Sequence, residues 1–256
     1  MRVKASSRVE GIFAHAVAMD NRGVKNIIHC IGSNIYIVNF DYSMILKFSL
    51  RKNEVSFAPP VSFNVNEYDS PDFSFTEEKD GGKIVFHITS KEYSRKKICR
   101  TGYSGPDARA ISKVYRQLKQ EAKNSEYRFN VSDDCVPLLE EGLSHTEIAV
   151  ENSKLILRQR NVYTGTMVEI THKEDSAGFF SVDKLPENLP PIALKTKDFT
   201  SLFVARKSLE FVPTKDFVMV RDSRKDDFEG IIALCRYDMI IDLYDKSEGE
   251  KNGGQE

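Results

Sequence analysis

The sequence predicts an α+β fold of two tandem units of similar size, each an antiparallel sheet with helices on one face. The first observation behind this prediction is an internal repeat. The segment from Pro59 reads P-P-V-S-F-N-V-N-E-Y-D-S, and the segment from Pro190 reads P-P-I-A-L-K-T-K-D-F-T-S. The second observation is a series of short apolar runs that alternate with polar residues between turns, which is typical of antiparallel strands. A repeat of this length indicates that each copy is one structural module.

The first unit is predicted to occupy residues 1–103. Its first helix is expected to begin at Ser6 or Ser7, which are good N-caps, and to end at Gly23, because glycine readily adopts the left-handed conformation. The apolar face of this helix is predicted to consist of Val9, Ile12, Phe13, Ala16 and Val17. Strands are predicted at residues 1–5, 27–31, 35–40, 43–50, 61–65, 73–75, 83–90 and 96–100. A second, short helix is expected after Tyr68, where Pro71 cuts it off.

The second unit is predicted to occupy residues 126–246. A helix capped by Ser132 and Asp133 is expected over residues 132–142, and a shorter one over residues 197–206. Strands are predicted at residues 127–131, 147–150, 154–159, 166–171, 192–194, 217–221, 230–236 and 239–244. A connector, residues 104–125, joins the units, and residues 247–256 have the composition of a disordered tail.

The composition excludes several classes of protein. A chain of 256 residues with 40% hydrophobic and 29% charged residues can form a sizeable core, and a net charge of −1 excludes a uniformly cationic surface. No apolar run is long enough to span a bilayer, so we expect a cytoplasmic protein that contacts no membrane. Cys30, Cys99 and Cys235 stand in apolar strands, which favours buried free thiols over disulfides.

No enzyme signature is present. The five histidines lack metal-ligand spacing, and no phosphate-binding or nucleophile motif occurs, so the sequence predicts neither a catalytic site nor a metal or cofactor. The carboxylate pairs Asp133-Asp134 and Glu140-Glu141 lie at the start and on the outer side of a predicted helix. Capping and solvation account for them.

The connector contains a strongly basic predicted helix, residues 107–123. Its cations recur at three- and four-residue spacing opposite an apolar face of Ile111, Val114, Tyr115 and Leu118. Two interpretations are open: a solvated amphipathic helix, or a stripe that contacts phosphates without reading bases. Smaller basic groups lie on or beside the other helices. The candidate DNA-binding residues are Arg8, Arg22, Lys25, Arg109, Lys113, Arg116, Lys119, Lys123, Lys195, Lys197, Arg206 and Lys207.

The order of predicted elements resembles that of the DNA sliding clamps, which include proliferating cell nuclear antigen and the processivity clamps of tailed phages. The resemblance covers nearly the whole chain. It is best in the second unit, which reads E-Y-R-F-N-V-S-D-D-C-V-P-L-L at residues 126–139, T-E-I-A-V-E-N-S-K-L-I-L-R at 146–158 and A-L-K-T-K-D-F-T-S-L-F at 193–203. It implies a homotrimeric ring whose helices line a positive channel around duplex DNA and whose subunits join through edge strands.

Clamps also recruit a polymerase and a loader through peptides that dock in an apolar pocket. The resemblance places that pocket near the connector and the C-terminal region, where the nearest candidates are Tyr103, Phe211, Val212, Pro213, Tyr237 and Tyr244. The basic helix at the connector either adds to the positive charge of the channel or lies outside it and binds a partner.

The predicted function is therefore a non-enzymatic sliding clamp, phage-encoded and acting in the host cytoplasm. It would tether a replicative DNA polymerase to duplex DNA and would need a separate loader. The alternative is a phage or viral structural protein built from a duplicated β-rich domain, which explains the repeat but not the basic stripes. A hydrolase or nuclease is a third interpretation, which the lack of clustered Asp, Glu and His disfavours.

Overall fold

The structure is a computed structural model of the chain. It describes residues 2–3, 7–51, 57–64, 73–77, 84–89, 94–99, 108–140, 142–151, 154–161, 164, 166–171, 180–181, 192–204, 206–222 and 227–235. Within it the chain divides into two compact units. Unit 1 consists of Met1–Gln120 and Arg224–Ile231, and unit 2 of Glu121–Ser223 and Ile232–Glu256.

Unit 1 contains strands from both ends of the chain. Its elements are β1 (Arg2–Val3), α1 (Ser7–Asn21), β2 (Asn26–Gly32), β3 (Asn34–Asn39), β4 (Met44–Ser49), β5 (Phe57–Asn64), β6 (Phe73–Glu77), β7 (Ile84–Thr89), β8 (Ser94–Cys99) and α2 (Ala108–Ala122). β1-β6-β7-β8 form one antiparallel sheet, and β4-β3-β2-β5 lie side by side in another. The late strand β17 (Phe228–Ala233) borders β4, where the Ser49 amide donates to the Asp227 carbonyl at 2.9 Å.

In unit 1 the predicted turn after β2, the predicted end of α1 and most of its predicted apolar face are found in the structure. Ser33 alone separates β2 from β3, and Gly32 has a φ of 54°, which glycine adopts readily. Helix α1 ends where Gly23 takes a φ of 80° and the Val24 amide donates to the Met19 carbonyl at 3.0 Å. Four of the five residues predicted for its apolar face are buried, namely Val9, Ile12, Phe13 and Ala16, whereas Val17 is half-buried.

The elements assigned to unit 2 begin directly after α2. They are β9 (Phe129–Ser132), a 3-10 helix (Asp133–Leu138), β10 (His145–Glu151), β11 (Lys154–Arg160), β12 (Met167–Thr171), β13 (Phe180–Ser181), β14 (Ile192–Lys195), α3 (Thr196–Leu202), β15 (Ser208–Pro213) and β16 (Phe217–Arg221). The order β12-β11-β10-β14 repeats the order β4-β3-β2-β5 of unit 1. The order β9-β15-β16 likewise repeats β1-β6-β7.

The structure corrects two predicted helices. In place of the α-helix predicted over residues 132–142 there is a short 3-10 helix, Asp133–Leu138, because Pro137 has no N–H to donate and Leu139 is extended, with φ −82° and ψ 136°. Ser132 does cap it, since its hydroxyl accepts from the Asp134 amide at 3.3 Å. The helix predicted over 197–206 is α3, which ends at Leu202, before Phe203 leaves helical geometry with ψ 7°.

Two strands were not predicted, β13 and β15. β15 could have been recognised, because Leu209 and Phe211 alternate with half-buried residues in S-L-E-F-V-P and are both buried. The predicted strand at residues 239–244, the second helix after Tyr68 and the tail at 247–256 lie outside the described residues.

Candidate nucleic-acid interface

Helices α1 and α2 pack on opposite faces of the strands of unit 1. Tyr36 pairs with Lys47 across β3 and β4, and Ile35 pairs with Phe48, so the two pairs point to opposite faces. His15 of α1 packs against Phe48 with ring centroids 5.5 Å apart. On the other face the Tyr36 hydroxyl lies 3.1 Å from the Ser112 hydroxyl of α2. The two cationic groups predicted on these helices are therefore not on one surface.

Helix α1 is joined to its face by polar contacts as well as by its core residues. The Asn26 side-chain amide donates to the Ala16 carbonyl at 3.0 Å. Arg8 donates to the Ser49 carbonyl at 2.6 Å and forms an ion pair with Asp227 at 2.8 Å. Because its guanidinium is occupied in this way, Arg8 contributes to the fold of unit 1 and is not available as a phosphate contact.

Helix α2 is anchored by a half-buried carboxylate on the neighbouring strand β17. Glu229 accepts a short hydrogen bond from the Lys119 ammonium, one at 3.1 Å from the Tyr115 hydroxyl and one at 3.3 Å from Lys47. Burial alone would raise the pKa of Glu229, but the Lys119 hydrogen bond and the two lysine charges together hold that pKa below its ordinary value. We call these four residues, Lys47, Tyr115, Lys119 and Glu229, the Glu229 cluster.

The same environment keeps Tyr115 neutral. Burial and the nearby Glu229 carboxylate both raise the pKa of its phenol, so the hydroxyl remains a donor. The Lys47 ammonium also lies 5.6 Å from the centre of the Tyr115 ring, which is within the range of a cation–π contact. Lys119, predicted to bind DNA, is therefore a structural residue whose side chain points to the strands.

Three other cations of α2 remain on its exposed side. Arg109, Lys113 and Arg116 are exposed, and they recur at intervals of four and three residues. Arg109 and Lys113 form no ion pair with any residue that the structure describes, and the Arg116 guanidinium donates to the Ser112 carbonyl of its own helix at 3.2 Å. We call these three residues the α2 stripe. Val114, predicted in the apolar face, is instead 43% exposed beside them.

The other predicted cations are scattered. Arg22 and Lys25 follow the end of α1 and are exposed, and Lys25 forms an ion pair with Asp20 at 2.7 Å. Lys123, also exposed, comes directly after the last residue of α2.

In unit 2 the predicted cations differ in exposure. Lys195 and Lys197 are exposed at the start of α3, and Lys207 is exposed with an ion pair to Asp133 at 3.0 Å. Arg206 has a side chain that is largely buried beside Asp222, 3.8 Å away. Burial, and next the charge of Lys195, lower the pKa of His145, so this imidazole is neutral at pH values where an exposed histidine would be charged.

The predicted peptide pocket is not assembled by the described residues. Phe211 is fully buried and stacks on Phe129 with centroids 5.7 Å apart, so it is a core residue. Val212 and Pro213 are buried too, and the Pro213 carbonyl accepts from the Ser125 hydroxyl at 2.5 Å. The remaining candidates, Tyr103, Tyr237 and Tyr244, lie outside the described residues.

The described cysteines are free thiols that are buried or half-buried. Cys30 is a fully buried free thiol, and burial raises its pKa. Cys235 is free and half-buried, and the side chain of Cys99 is outside what the structure describes. Burial also raises the pKa of Cys135 to about 12, so its thiol stays protonated beside the Ser132 carbonyl, 3.0 Å away.

The sequence did not reveal the Glu229 cluster. The available signal was a single charged residue in each of two apolar strands, Lys47 in M-I-L-K-F-S and Glu229 in F-E-G-I-I-A. A charge placed in a buried strand needs a partner, but their separation of 182 residues conceals the pairing. Within the described ranges, no group of His, Cys, Asp or Glu could hold a metal ion, and no helix is long and apolar enough to cross a membrane.

Comparison with known proteins gives a structural likeness only. No family model matches the chain, and no curated protein matches it by sequence. Among solved structures 356 chains match. One is a crystal structure from Eubacterium rectale, provisionally described as a DNA polymerase III beta subunit, which superimposes with a TM-score of 0.58 at 11% identity.

The chain has a clamp-like fold. The superposition covers 93% of this chain, so the likeness involves nearly all of it, in agreement with the mixed α and β content and the antiparallel sheets. The chain spans 66% of the length of the beta-subunit chain.

Proposed function

We propose that this chain is a DNA sliding clamp, a non-enzymatic processivity factor that encircles duplex DNA and tethers a replicative polymerase. The observation that carries the proposal is the clamp-like fold over 93% of the chain. A topological link holds a protein on DNA without strong or base-specific bonds. Weak phosphate contacts then let the ring slide, because they carry no sequence information.

The proposal includes a duplicated chain and a trimeric ring. The strand order β4-β3-β2-β5 recurs as β12-β11-β10-β14, which supports an origin by tandem duplication. The chain corresponds to 66% of the beta subunit it resembles. A ring of the same size that is made from shorter subunits needs more of them. In a closed cyclic assembly, exposed edge strands also become paired with those of the neighbouring subunits.

We assign the channel-facing role to α1 and α3, which directly follow strands in their units. The exposed positions of α1 include Gly11 and Ala14, which are small and uncharged. The exposed predicted cations beside these helices are Arg22 and Lys25 in unit 1 and Lys195, Lys197 and Lys207 in unit 2, of which Lys25 and Lys207 form ion pairs with Asp20 and Asp133. Such sparse cations suit a surface along which DNA moves.

The partners proposed with this function are a replicative polymerase and a separate clamp loader in a phage-infected host cytoplasm. A loader is needed because the sequence contains no nucleotide-binding motif that would open the ring. The partner-peptide pocket, if formed as in the clamps, would use Tyr103, Tyr237 or Tyr244, since Phe211 belongs to the core.

Light scattering across a concentration series at low and moderate salt tests the proposal. The expected result is a trimer, or a mass that approaches three chains of 29.1 kDa as the concentration rises. A strict monomer at the highest concentration would remove the ring, and the alternative of a viral structural protein would then be preferred.

A further inference from the structure

We propose that the α2 stripe (Arg109, Lys113 and Arg116) is a second nucleic-acid contact, which binds a sugar–phosphate backbone outside the channel. Helix α2 packs on the face of the unit 1 strands opposite α1. In a clamp whose channel is lined by α1, the stripe points away from the enclosed duplex. The inference therefore goes beyond the proposed function, which concerns only the DNA inside the ring.

The helix that bears the stripe is fastened to the strands of unit 1 by its inner side. Tyr115 and Lys119 fasten the inner side of α2 to Glu229, and Ser112 contacts Tyr36 on β3. The cations that these contacts leave outside are therefore presented in a fixed row. A fixed row loses less conformational freedom on binding than three independent surface lysines would.

The charge in the first turn of α2 does not favour the helix dipole, although Lys119 in the last turn does. The first turn of α2 contains no acidic residue, although a negative charge there would favour the helix dipole, and Arg109 stands in that turn instead. A cation at this position opposes helix formation, so its placement favours a role in binding. Between residues 108 and 120 the helix has no acidic residue at all.

Nucleic acid fits this row better than an acidic protein does. Arg109 and Arg116 are seven residues apart, a rise of about 10 Å along a helix. That length matches about three phosphates of one strand at 3.4 Å of axial rise each. The exposed Gln117 and Gln120 add hydrogen-bond donors to the same side, whereas Val114 is the one exposed large apolar residue of the described helix. A protein partner would normally need more apolar anchors.

The test uses the full-length protein and an end-blocked duplex, a short DNA duplex with streptavidin bound to a biotin at each end. A closed ring cannot pass these bulky ends, so its binding reports a surface outside the channel. Fluorescence anisotropy would measure its affinity over a series of salt concentrations. The variant Arg109→Gln/Lys113→Gln removes two cations of the stripe, and Arg128→Gln/Lys215→Gln is the matched control, because both of its residues are exposed and lie elsewhere.

We expect wild type to bind the end-blocked duplex and the stripe variant to bind it about tenfold or more weakly at low salt, with a log–log salt slope shallower by about 2. The control should stay within about twofold of wild type, and circular dichroism should show both variants folded. Equal losses in the two variants, or no binding by wild type, would overturn the inference. So would displacement of the end-blocked duplex by poly-glutamate at a lower charge concentration than competing DNA requires, which would favour an acidic protein as the ligand. The mass measurement tests the ring independently, so failure of one proposal does not imply failure of the other.

Discussion

At the scale of single residues, Glu229 is the point where the fold depends on charge. Its carboxylate receives Lys47 from β4 and Tyr115 and Lys119 from α2, and its side chain is only 17% exposed. The carboxylate therefore accepts hydrogen bonds from three donors and balances the charge of two lysines. Removing the charge of Glu229 is therefore expected to lower the free energy of unfolding more than removing an exposed ion pair would.

We predict that Glu229→Gln lowers the free energy of unfolding by about 2 kcal/mol, because two half-buried lysines lose their counter-charge. Urea denaturation near neutral pH measures the change. Glu121→Gln, an exposed residue of the same helix that Glu229 anchors, is the control and should stay within about 0.5 kcal/mol of wild type. A similar loss in both variants would show that the cluster contributes no more than surface charge.

The same residue predicts a pH dependence. The folded pKa of Glu229 lies below its ordinary value of 4.5. Its contribution to stability is therefore fully present above that value and is lost as the pH falls through the lower, folded pKa. The difference in unfolding free energy between wild type and Glu229→Gln should be largest near neutral pH and should shrink below 4.5. A difference that stayed constant across this range would contradict the assignment.

At the scale of elements, α2 depends on a few polar contacts more than α1 does. Helix α1 buries Val9, Ile12, Phe13, Ala16 and Met19, whereas α2 buries chiefly Ala108, Ile111, Tyr115 and Ala122. Burial of large apolar side chains stabilises α1 by roughly 1.5–3 kcal/mol each. With fewer of them, α2 is expected to open locally at a lower free energy than α1.

We predict that Tyr115→Phe increases amide hydrogen exchange in α2 and leaves exchange in α1 unchanged. The substitution keeps the ring in its packing site and removes only the hydroxyl that donates to Glu229, a loss of about 1–2 kcal/mol. Hydrogen-exchange mass spectrometry with peptides from each helix measures the effect. Tyr127→Phe, at a half-buried position outside the Glu229 cluster, serves as the control. Equal acceleration in both helices would mean that the hydroxyl supports the whole unit and not α2 alone.

The elements also show what a single sequence can reveal. The extent of α2 was predicted within one residue at each end, because its charged and apolar faces alternate strongly along its length. The 3-10 helix at residues 133–138 was predicted too long, since apolar spacing alone does not register the donor lost at Pro137. The opposite placement of α1 and α2 was not predictable, because it depends on which side of a strand faces each helix. That is a matter of long-range pairing, such as Lys47 with Glu229.

At the scale of the whole molecule, two strands that correspond in the repeated order, β4 and β12, differ in what lies beside them. In unit 1 the outer side of β4 is covered by β17. In unit 2 the corresponding strand, β12, pairs with β11 and has no second partner strand among the described residues. An edge strand left open in this way is a natural site for pairing with another chain. Met167 at its start is 55% exposed, which adds an apolar contact.

We predict that β12 contributes to the ring interface and that Met167→Asp weakens self-association. A charge on an edge strand disfavours pairing with a second edge, and the apolar contact of the methionine is lost as well. The concentration at half-assembly should rise at least about tenfold, which for a cyclic trimer corresponds to about 2.7 kcal/mol in total, or about 0.9 kcal/mol for each of its three interfaces. Light scattering over a concentration series measures it. Leu138→Asp is the matched control, because Leu138 is 47% exposed on the 3-10 helix and is not on an edge strand. If both variants assembled like wild type while wild type formed a trimer, the ring would stand and its interface would have to involve other strands.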